Sequence, residues 1–485
     1  FQKDKGGNKL EPIEEITMDL DEEFSSKIID SMNRRKGKLI ELRDTGKNKK
    51  RLIFHAPTRG LMGYTSRFLT LTKGTGVINR IFHSYGKYTG DMEGRRNGSL
   101  ISMENGKFDF VADATSIRIN PNDFDTIIHI YGNHIYPTFI STNTTLGISE
   151  ISAVRASNDF NETGNFKPHV RSLIAFNAES KIIPTIRTNG VLLAQVSPQG
   201  GTISGTSSVM KLDGWNWEDA AQKQDDGIHL NWPSYFRQTG WWAEPGDIVK
   251  TDNYDKKTQE LKQYLVKAQA YFNSNSSKVD IEMEAMKGIF DGTKHVYIHA
   301  NLKREMIDAV LMAQEFDLKT IVIVGAKEAH LISDFLSQNN VMVLLDRIHR
   351  LPRTQDEDVY LPYKQATLLH QAGIKFGFCY QGDMEAMGQR NLPFSAGTAV
   401  AYGLDYEQAV SALSLNIAQM LGIDKEVGSL ESGKEATFFI SEGDALDMMG
   451  NKVVRAYIQG NSIDLDNHQK QLDRKYRKKF GLEVN

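Results

Sequence analysis

The sequence predicts an α/β protein of two modules, a small α+β front module and a larger body. Three observations lead to this prediction. Residues 1–107 show strand and helix patterns in the order βαββαβ. In the body, apolar strand-like runs alternate with helix-period segments, which indicates parallel βα units. The net charge changes from +7 in residues 1–107 to −10 in the remainder, which favours two modules with different partners, although small domains also gain charges by chance.

The front module has a recognisable pattern for each element. Its first helix places Phe24, Ile28, Ile29 and Met32 on one stripe and carries acids in its first turn. The predicted elements are the strand Ile13–Asp19, the helix Glu22–Lys36, the strands Lys38–Arg43 and Arg51–Ala56, the helix Gly60–Thr72 and the strand Gly76–His83. This order is that of the split βαβ sandwich, so we expect a ferredoxin-like module.

Whole phrases of the front module resemble a known family. They are EPIEEITMDL, RRKGKLIEL, APTRGLMGYTSRFLTLTKGTGVINRIF and GRRNGSLISMENGK. Residues 9–107 thereby resemble the elongation-factor-G domain-V-like module of the BipA/TypA translational GTPases. No GxxxxGK[ST] phosphate loop occurs in the chain, so a bound nucleotide is not expected.

The resemblance implies a contact with the large ribosomal subunit, which this module makes in the family. The implied RNA-facing groups are Arg34, Arg35, Lys36, Arg59, Arg95 and Arg96. Each would act as a phosphate contact. A solvated rim of a small sandwich is the alternative for each of them.

The body begins after Lys107 with a strand-rich segment and then alternates. The strand-like runs are Val191–Val196, Val296–Ala300, Lys319–Gly325, Val341–Leu345 and Ile374–Tyr380, followed late in the chain by Ala436–Ile440 and Val453–Gln459. The helix-period segments are Lys256–Ser274, Ile281–Phe290, Leu302–Phe316, Lys327–Gln338, Tyr363–Gly373 and Tyr406–Leu421. This alternation fits a (β/α)8 TIM-type barrel with a small β-domain, and it fits a doubly wound sheet almost as well.

A resemblance favours the barrel. The phrases HIYPTFISTNTTLG, TNGVLLAQVSPQGGTISGTSSVMKLDGWNWEDA and GLDYEQAVSALSLNIAQMLGIDKEVGSLESGKEA resemble the imidazolonepropionase-related branch of the amidohydrolase superfamily. The resemblance covers residues 108–466. It implies a barrel at 141–423, a small and incomplete β-domain built from 108–140 and 424–466, and a tail at 467–485.

The junction lies at Asn105-Gly106-Lys107, because both families have an NGK-type phrase at this point. We therefore predict a fusion spliced there, either natural or produced by sequence assembly. The chain starts without Met, so we also expect that upstream sequence is absent.

The amidohydrolase resemblance also implies a metal site at the mouth of the barrel. Superfamily members hold one or two divalent metals there with an HxH motif, further histidines, a carboxylate or modified lysine, and an aspartate. In this chain the HxH position reads Asn143 and Thr145, so neither end offers an imidazole. His299 and Asp383 are the equivalents of a metal-binding histidine and the catalytic aspartate, and both are predicted catalytic residues.

We therefore expect at most one zinc-type metal, held by His299, Asp383 and either His229 or His349, with His330 a poor substitute. The alternative for each histidine is a hydrogen-bonded residue of the mouth or a loop. Two further features suggest a ligand pocket. The loop SPQGGTISGTSS could offer backbone N–H groups to an anion, or be a mere turn. All five tryptophans lie between residues 215 and 242, where they line a pocket or pack a lid.

Three functions remain in competition. The first is a hydrolase of non-peptide carbon–nitrogen bonds, such as those of cyclic amides, with a depleted metal site. The second is a catalytically inactive barrel that binds a small molecule, and the third is a ribosome-associated translation-factor fragment without its GTPase domain. The chain has no apolar leader, no membrane-length apolar run and a single cysteine, Cys379. We expect a cytoplasmic protein without a membrane partner, and an oligomer is compatible with the sequence.

Overall fold

A computed structural model describes the chain except residues 1, 4–8, 47, 62–63, 90–98, 115–118, 131, 242, 275–277, 353–356, 382–384 and 483–485. The chain forms two compact units. One contains Phe1–Leu100 with Ala112–Asn120, and the other contains Ile101–Val111 with Pro121–Asn485. No helix in the described part of the chain is long and apolar enough to cross a membrane.

The first unit is an antiparallel sheet covered on one face by two helices. Its elements are β1 (Gln2–Lys3), β2 (Lys9–Asp21), α1 (Ser25–Arg34), β3 (Lys38–Gly46), β4 (Lys49–Pro57), α2 (Tyr64–Leu71) and β5 (Val77–Lys87), with 3-10 turns at Glu22–Phe24 and Thr58–Leu61. Alternation along the strands buries Ile16 and Phe54 against Ile28 of α1 and Phe68 of α2. The sequence therefore has the expected βαββαβ succession, preceded by the short β1.

The sheet of this unit has the strand order β5-β2-β4-β3, with β1 also paired to β2. All of its pairings are antiparallel. The first helix begins at Ser25 rather than at the predicted Glu22, because Glu22–Phe24 forms a 3-10 turn. The last strand runs on to Lys87, beyond the predicted end at His83, and contains a register shift opposite Ile13 and Glu14.

Apart from residues 99–100 and 112–113, which fall in the first unit, the remaining elements belong to the second unit. Its strands are β6 (Ser99–Glu104), β7 (Lys107–Asp113), β8 (His134–Pro137), β9 (Phe139–Thr144), β10 (Val191–Val196), β11 (Ile203–Lys211), β12 (Ala221–Asn231), β13 (Phe236–Trp241), β14 (Glu244–Lys250), β15 (His295–Ala300), β16 (Ile321–Gly325), β17 (Met342–Leu345), β18 (Phe376–Phe378), β19 (Phe438–Ser441), β20 (Val453–Ile458) and β21 (Asn461–Ser462).

Its helices are α3 (Ser172–Ala175), α4 (Ile183–Arg187), α5 (Trp217–Ala220), α6 (Tyr254–Phe272), α7 (Ile281–Asp291), α8 (Lys303–Glu315), α9 (Ser333–Gln338), α10 (Leu361–Gln371), α11 (Glu385–Gly388), α12 (Leu392–Ala401), α13 (Tyr406–Ser411), α14 (Leu415–Leu421) and α15 (His468–Lys479). Short 3-10 turns lie at Pro121–Asp123, Arg155–Ser157, Ala329–Ile332 and Gln389–Asn391.

Eight strands of this unit form a nearly closed barrel-like sheet in the order β18-β17-β16-β15-β12-β11-β10-β9. The order follows the chain without the reversal that defines a doubly wound sheet. Backbone bonds from Ile140 N to Leu413 O (2.8 Å) and from Phe378 N to Ala412 O (3.2 Å) link the first and last strands through a short segment. This arrangement fits the predicted TIM-type barrel, with β11 as its one antiparallel member.

The alternation of the strands separates two layers of the core. On β15, Val296 and Ile298 join the large cluster that includes the surrounding helices, whereas Tyr297 packs with Ile140 and Val322 in a second cluster inside the sheet. Because the parallel strands share one direction, their carboxyl ends lie at one rim.

A small antiparallel sheet accompanies the barrel. It consists of β21, β20, β19 and β8, and the hairpin β6–β7 packs on it through Phe108, which is 2% exposed beside Phe438 and Tyr457. The predicted junction forms the turn of this hairpin, since Asn105 (φ 51°) and Gly106 (φ 79°) lie between the two strands. Left-handed residues at both turn positions are typical of a tight hairpin.

Candidate functional site

Two histidines meet at the carboxyl rim of the barrel. His229 lies near the end of β12 and is opposite Tyr297 of β15, and His299 follows two residues later on β15. His229 Nδ1 and His299 Nε2 are 3.0 Å apart. His229 is fully buried, with its ring stacked on Tyr297 at 4.7 Å, while the half-buried His299 borders a cleft. The predicted metal ligands His229 and His299 are therefore neighbours.

Burial keeps both imidazoles uncharged. It lowers the pKa of His299 to about 4, and it lowers the pKa of His229 well below its ordinary value, with a further contribution from His299. At neutral pH one ring must donate an N–H to the other. His229 Nε2 has no hydrogen-bond partner among the described residues. If His229 Nδ1 carries the shared proton, the Nε2 lone pair is free to bind a cation or a donor.

The two residues at the HxH position are fixed by hydrogen bonds. Asn143 has a left-handed backbone (φ 51°), and its N–H donates to Gln195 Oε1 at 3.1 Å. Ser197 Oγ donates to Asn143 Oδ1 at 3.0 Å, and Asn143 Nδ2 finds no partner within the described part of the chain. Thr145 donates from both its backbone N (2.9 Å) and Oγ1 (2.6 Å) to Glu385 Oε2.

Glu385 is a rim residue that the sequence did not reveal. It begins α11, immediately after residues 382–384, which lie outside the described part and include the predicted catalytic Asp383. Burial raises the pKa of Glu385, against the bonds from Thr145. Gln389 Nε2 donates to the other carboxylate oxygen of Glu385, Oε1. Gln389 Oε1 in turn accepts a hydrogen bond from Ser141 Oγ, on the first barrel strand, at 2.7 Å. Glu385 thus joins the end of the first barrel strand to helix α11 by accepting hydrogen bonds from uncharged donors.

Below the histidines the barrel interior is polar. Asp226 is fully buried and accepts hydrogen bonds from Ser207 Oγ (2.7 Å), Gln195 Nε2 (2.9 Å) and the Tyr297 hydroxyl (2.8 Å). Burial and the neighbouring Asp226 raise the pKa of Tyr297, so the phenol stays protonated and remains a donor. Because Tyr297 also stacks on His229, this network sets the position of the histidine pair.

A cleft of about 830 Å³ opens above His299. Trp232, Phe236 and Trp241 contribute aromatic surface, and Lys327 contributes a cation 3.7 Å from Asp346. The other lining residues are Ser234, Arg237, Gln238, Thr239, Gly240, Ile248, Ala300, Asn301, Leu302, Glu305, Leu351 and Pro352. The hairpin β13–β14 supplies much of this wall.

The tryptophans separate into two groups. Trp232 is buried, with its Nε1 donating to the Tyr254 hydroxyl at 3.0 Å, and Trp241 is 55% exposed on the hairpin. Trp215 is 93% exposed and Trp217 packs partly on the core, so neither belongs to the cleft. Trp242 lies outside the described residues.

The Gly-rich segment is a loop only at its start, because β11 begins at Ile203. Gly200 and Gly201 have positive φ angles of 78° and 73°, and a side chain at either would meet atoms at 2.5–2.8 Å. Lys167 is buried beneath the loop and donates to Gln199 O at 3.3 Å and to Asn161 Oδ1 at 2.8 Å. This internal lysine therefore holds the loop in place through hydrogen bonds.

The remaining predicted histidines lie elsewhere. His349 Nε2 is bonded to Thr398 Oγ1 at 2.7 Å and its ring packs against Tyr363. His330 lies on the 3-10 turn after β16. Among the described residues, no third His, Cys, Asp or Glu at the mouth converges with His229 and His299 as a group of three ligands. The described donors at the mouth therefore offer two neighbouring imidazole ligands for a metal ion.

The predicted RNA-facing residues of the first unit have different surroundings. Arg35 donates to Gly60 O at 2.7 Å and lies over the Tyr64 ring, and Arg59 pairs with the buried Glu11 at 2.5 Å. Lys36 is exposed just after α1. Arg34 ends α1, its side chain being outside the described part, as are Arg95 and Arg96 entirely.

Comparison with known proteins gives a match for each unit. Residues 8–96 match the family model described as Elongation factor G C-terminus, and residues 261–464 match that of the Amidohydrolase family. The two predicted resemblances are confirmed. A crystal structure of an amidohydrolase from Thermotoga maritima MSB8 is similar with a TM-score of 0.64 and 22% identity, over 75% of this chain and 94% of that one. This likeness shows the fold of the barrel.

The front module also has curated relatives. The large ribosomal subunit assembly factor BipA of Bacillus subtilis (strain 168) is 43% identical over 106 residues, and that of Escherichia coli (strain K12) is 38% identical over 102 residues. The matched part is 22% and 21% of this chain, respectively, and 17% of each relative. The chain therefore spans about a sixth of the length of these relatives.

Proposed function

We propose that the barrel is a hydrolase of non-peptide carbon–nitrogen bonds whose site is the rim around His229 and His299. One observation carries the proposal. One fully buried and one half-buried imidazole, both uncharged, touch at the carboxyl rim of a barrel with an amidohydrolase fold, and one of their nitrogens lacks a partner among the described residues. An unpartnered buried nitrogen is costly unless a ligand satisfies it, so the position suits a binding role.

The proposed site holds one divalent metal of the zinc type and no second one. His229 and His299 would be two ligands, and Asp383 is the proposed third. Such an ion, when bound, supplies an acidified water and a Lewis acid for a carbonyl oxygen. Depletion of the site follows from Asn143 and Thr145, because an amide and a hydroxyl replace the two imidazoles of the HxH motif.

The residues of the chain itself provide binding and positioning. Trp232 and Trp241 offer aromatic surface on which a planar ring can lie, which favours a cyclic amide as the substrate. The Asp226–Tyr297 network holds the His229 ring in place through its stacking on Tyr297, so that His229 Nδ1 stays beside His299 Nε2. Asn143 Nδ2 is a further donor without a partner in the described part and is proposed to bind the substrate carbonyl.

The experiment measures metal content and turnover on the full chain. After gentle purification we expect the wild type to hold one more equivalent of zinc, manganese or iron than His299→Gln does, and to hydrolyse at least one compound in a panel of cyclic amides and imides. The variant His299→Gln should lose this turnover, whereas His370→Ala, on an exposed helical histidine, should keep the metal content and the turnover of the wild type.

Two results would reject the hydrolase. Metal-loaded protein that turns over no member of the panel but binds one supports the alternative, an inactive small-molecule-binding barrel. Turnover that is retained in His299→Gln would show that the active site does not include His299.

A second function is proposed for the front module, which we assign as a ferredoxin-like domain of residues 1–107. We propose that it contacts the large ribosomal subunit, on the ground of its 43% identity over 106 residues to a large-subunit assembly factor. Lys36 is the best-placed phosphate contact because it is exposed, and Arg34 lies two residues before it. Arg35 and Arg59 have internal partners and are expected to support the surface from beneath.

Co-sedimentation with purified large ribosomal subunits tests this second proposal. Binding should weaken as salt rises, and Arg34→Glu with Lys36→Glu should abolish it. Lys27→Glu is the matched control, since Lys27 is an exposed residue two turns earlier on the same helix. Equal binding by the double variant and the wild type would reject this RNA-facing surface.

A further inference from the structure

Three metal-ligand side chains meet on the open face of the front sheet, in the unit that does not contain the barrel. They are Glu15 on β2, His55 on β4 and His83 on β5. One ligand atom from each lies within 4.8 Å of the other two. Within the described residues this is the one group of three His, Cys, Asp or Glu side chains with such convergence.

The register of the sheet brings the three together. Glu15 and His55 are direct partners across β2 and β4, and their neighbours Ile16 and Phe54 are buried on the helix-covered face. Side chains alternate along a strand, so Glu15 and His55 point to the other face. His83 falls in the register shift between β2 and β5, where the extra residue of a bulge is left without a cross-strand partner.

The present distances are close to those of a metal site. Glu15 Oε2 and His55 Nε2 are 3.2 Å apart, and the imidazole rings of His55 and His83 have their centroids 4.0 Å apart at an angle of 30°. Ligand atoms around one zinc ion lie roughly 3–4 Å from each other, because each bond is about 2 Å long. His83 is the most exposed of the three, and one of its ligand atoms already lies within 4.8 Å of those of Glu15 and His55.

We propose that Glu15, His55 and His83 bind a divalent transition metal of the zinc type. Two imidazoles and one carboxylate are borderline donors that suit Zn²⁺, Co²⁺, Ni²⁺ or Cu²⁺, whereas Mg²⁺ and Ca²⁺ require oxygen ligands. Three protein ligands leave a fourth position for water or for a group from a partner. The side chains of Glu15 and His55 are 33% and 25% exposed, so an ion reaches them from solvent.

Such an ion would clamp three strands at once. Glu15 belongs to the central strand and the histidines to its two neighbours, so the ion joins segments far apart in the chain. A ligand that binds the folded state alone stabilises that state. The front unit should therefore unfold at a higher temperature with zinc than with a chelator, while the barrel, which contains all five tryptophans, reports separately by fluorescence.

The test is a titration of the full chain with Zn²⁺ by calorimetry and with Co²⁺ by visible absorption. To keep the barrel out of the measurement, all variants carry His299→Gln. We expect one equivalent to bind in this background, the addition of His83→Ala to weaken it on the order of tenfold or more, and Mg²⁺ to give no signal. His370→Ala, another exposed histidine, is the matched control and should bind as the background does.

The comparison of two variants decides whether the proposal fails. If His83→Ala and His370→Ala bind zinc alike, the cluster is not the site. His83 is exposed, so its variant should keep the far-UV circular dichroism of the parent; His55→Gln provides a second variant for the same comparison. Neither result depends on whether the barrel hydrolyses anything.

Discussion

The front sheet and the barrel rim differ in the contacts that hold their side chains in place. Across the front sheet, charged pairs connect neighbouring strands, such as Arg80–Glu14 at 2.8 Å and Arg51–Asp19 at 2.7 Å. At the barrel rim, hydrogen bonds among the described residues also join uncharged groups, such as Ser197 with Asn143 and His229 with His299. The front sheet keeps one face in water, where charges are well solvated, and the rim does not.

This difference explains how each region treats its histidines. In the barrel, burial lowers the pKa of both imidazoles and holds them as a fixed, uncharged pair. On the front sheet, His55 and His83 remain accessible and have a carboxylate beside them. The histidine pair of the barrel offers two ligands in fixed positions, whereas the group on the front sheet offers three ligands that are partly open to solvent. Four predictions test this contrast, beginning with the largest effect.

The largest loss of stability is expected when Arg59 is replaced by alanine. Glu11 is 1% exposed, and although burial alone would raise its pKa, bonds from Arg59 and Thr89 hold it below the usual value. Removal of the guanidinium leaves the buried carboxylate without its counter-charge, which costs about 3–5 kcal/mol. Hydrogen exchange of the front unit in urea measures the loss. Arg43→Ala, at a side chain 67% exposed, is the control; equal stability of both variants would contradict the role of the buried pair.

A somewhat smaller loss is expected for Glu385→Ala at the barrel rim. The substitution leaves the Thr145 N–H and hydroxyl without their acceptor, which costs roughly 2–3 kcal/mol in a buried position. Tryptophan fluorescence during urea unfolding reports on the barrel. Glu260→Ala, on the exposed side of α6, should change the midpoint little. A Glu385→Ala barrel as stable as the wild type would show that Glu385 does not hold the end of the first strand to α11.

The histidine pair should make the barrel sensitive to acid. The folded pKa of His299 is about 4 against an ordinary 6.5, so the unfolded state takes up protons first as the pH falls. The stability that depends on an uncharged His299 is therefore fully present above pH 6.5. It is lost as the pH falls towards 4, which lowers the free energy of unfolding by roughly 2–3 kcal/mol. Urea midpoints by fluorescence at pH 7, 5.5 and 4.5 measure it. His299→Gln should flatten the profile, and an unchanged slope would place the sensitivity in other groups.

The smallest effect is expected for the exposed pair of the front sheet. Arg51 and Asp19 are 45% and 35% exposed, so Arg51→Ala should cost about 0.5 kcal/mol in dilute buffer and nothing measurable in 1 M salt. Hydrogen exchange at the two salt concentrations checks this. A loss as large as that of Arg59→Ala would mean that exposure does not govern the strength of these pairs.

Much of the fold could be predicted because hydrophobic period sets local structure. The strand Val191–Val196 has the predicted bounds, and the predicted helix Lys256–Ser274 is the observed Tyr254–Phe272. The strand Ile203–Lys211 was predicted as part of a loop, because its Gly, Ser and Thr residues are typical of loops. Its small polar side chains fit because they are buried inside the barrel, where neighbours such as Asp226 accept their hydrogen bonds.

The sites were less predictable because they depend on register. Side chains alternate between the two faces of a strand, and this rule alone placed His299 on the opposite face of β15 from Val296 and Ile298. The resemblance to a family identified Asn143 and Thr145 as the residues at the HxH position. Nothing in the sequence joined Thr145 to Glu385, since that bond spans 240 residues. The Glu15 cluster was missed for the same reason: alternation assigns each residue to a face, but only the strand pairing places three of them side by side.

Anomalous diffraction at the zinc edge, from crystals of the full chain grown with zinc, tests the central claim most directly. We expect one peak within bonding distance of both His229 and His299, and no second metal beside Asn143 and Thr145. Absence of a peak at this pair, in crystals whose zinc content is proven by a peak at Glu15, His55 and His83, would contradict the proposed metal-dependent hydrolase.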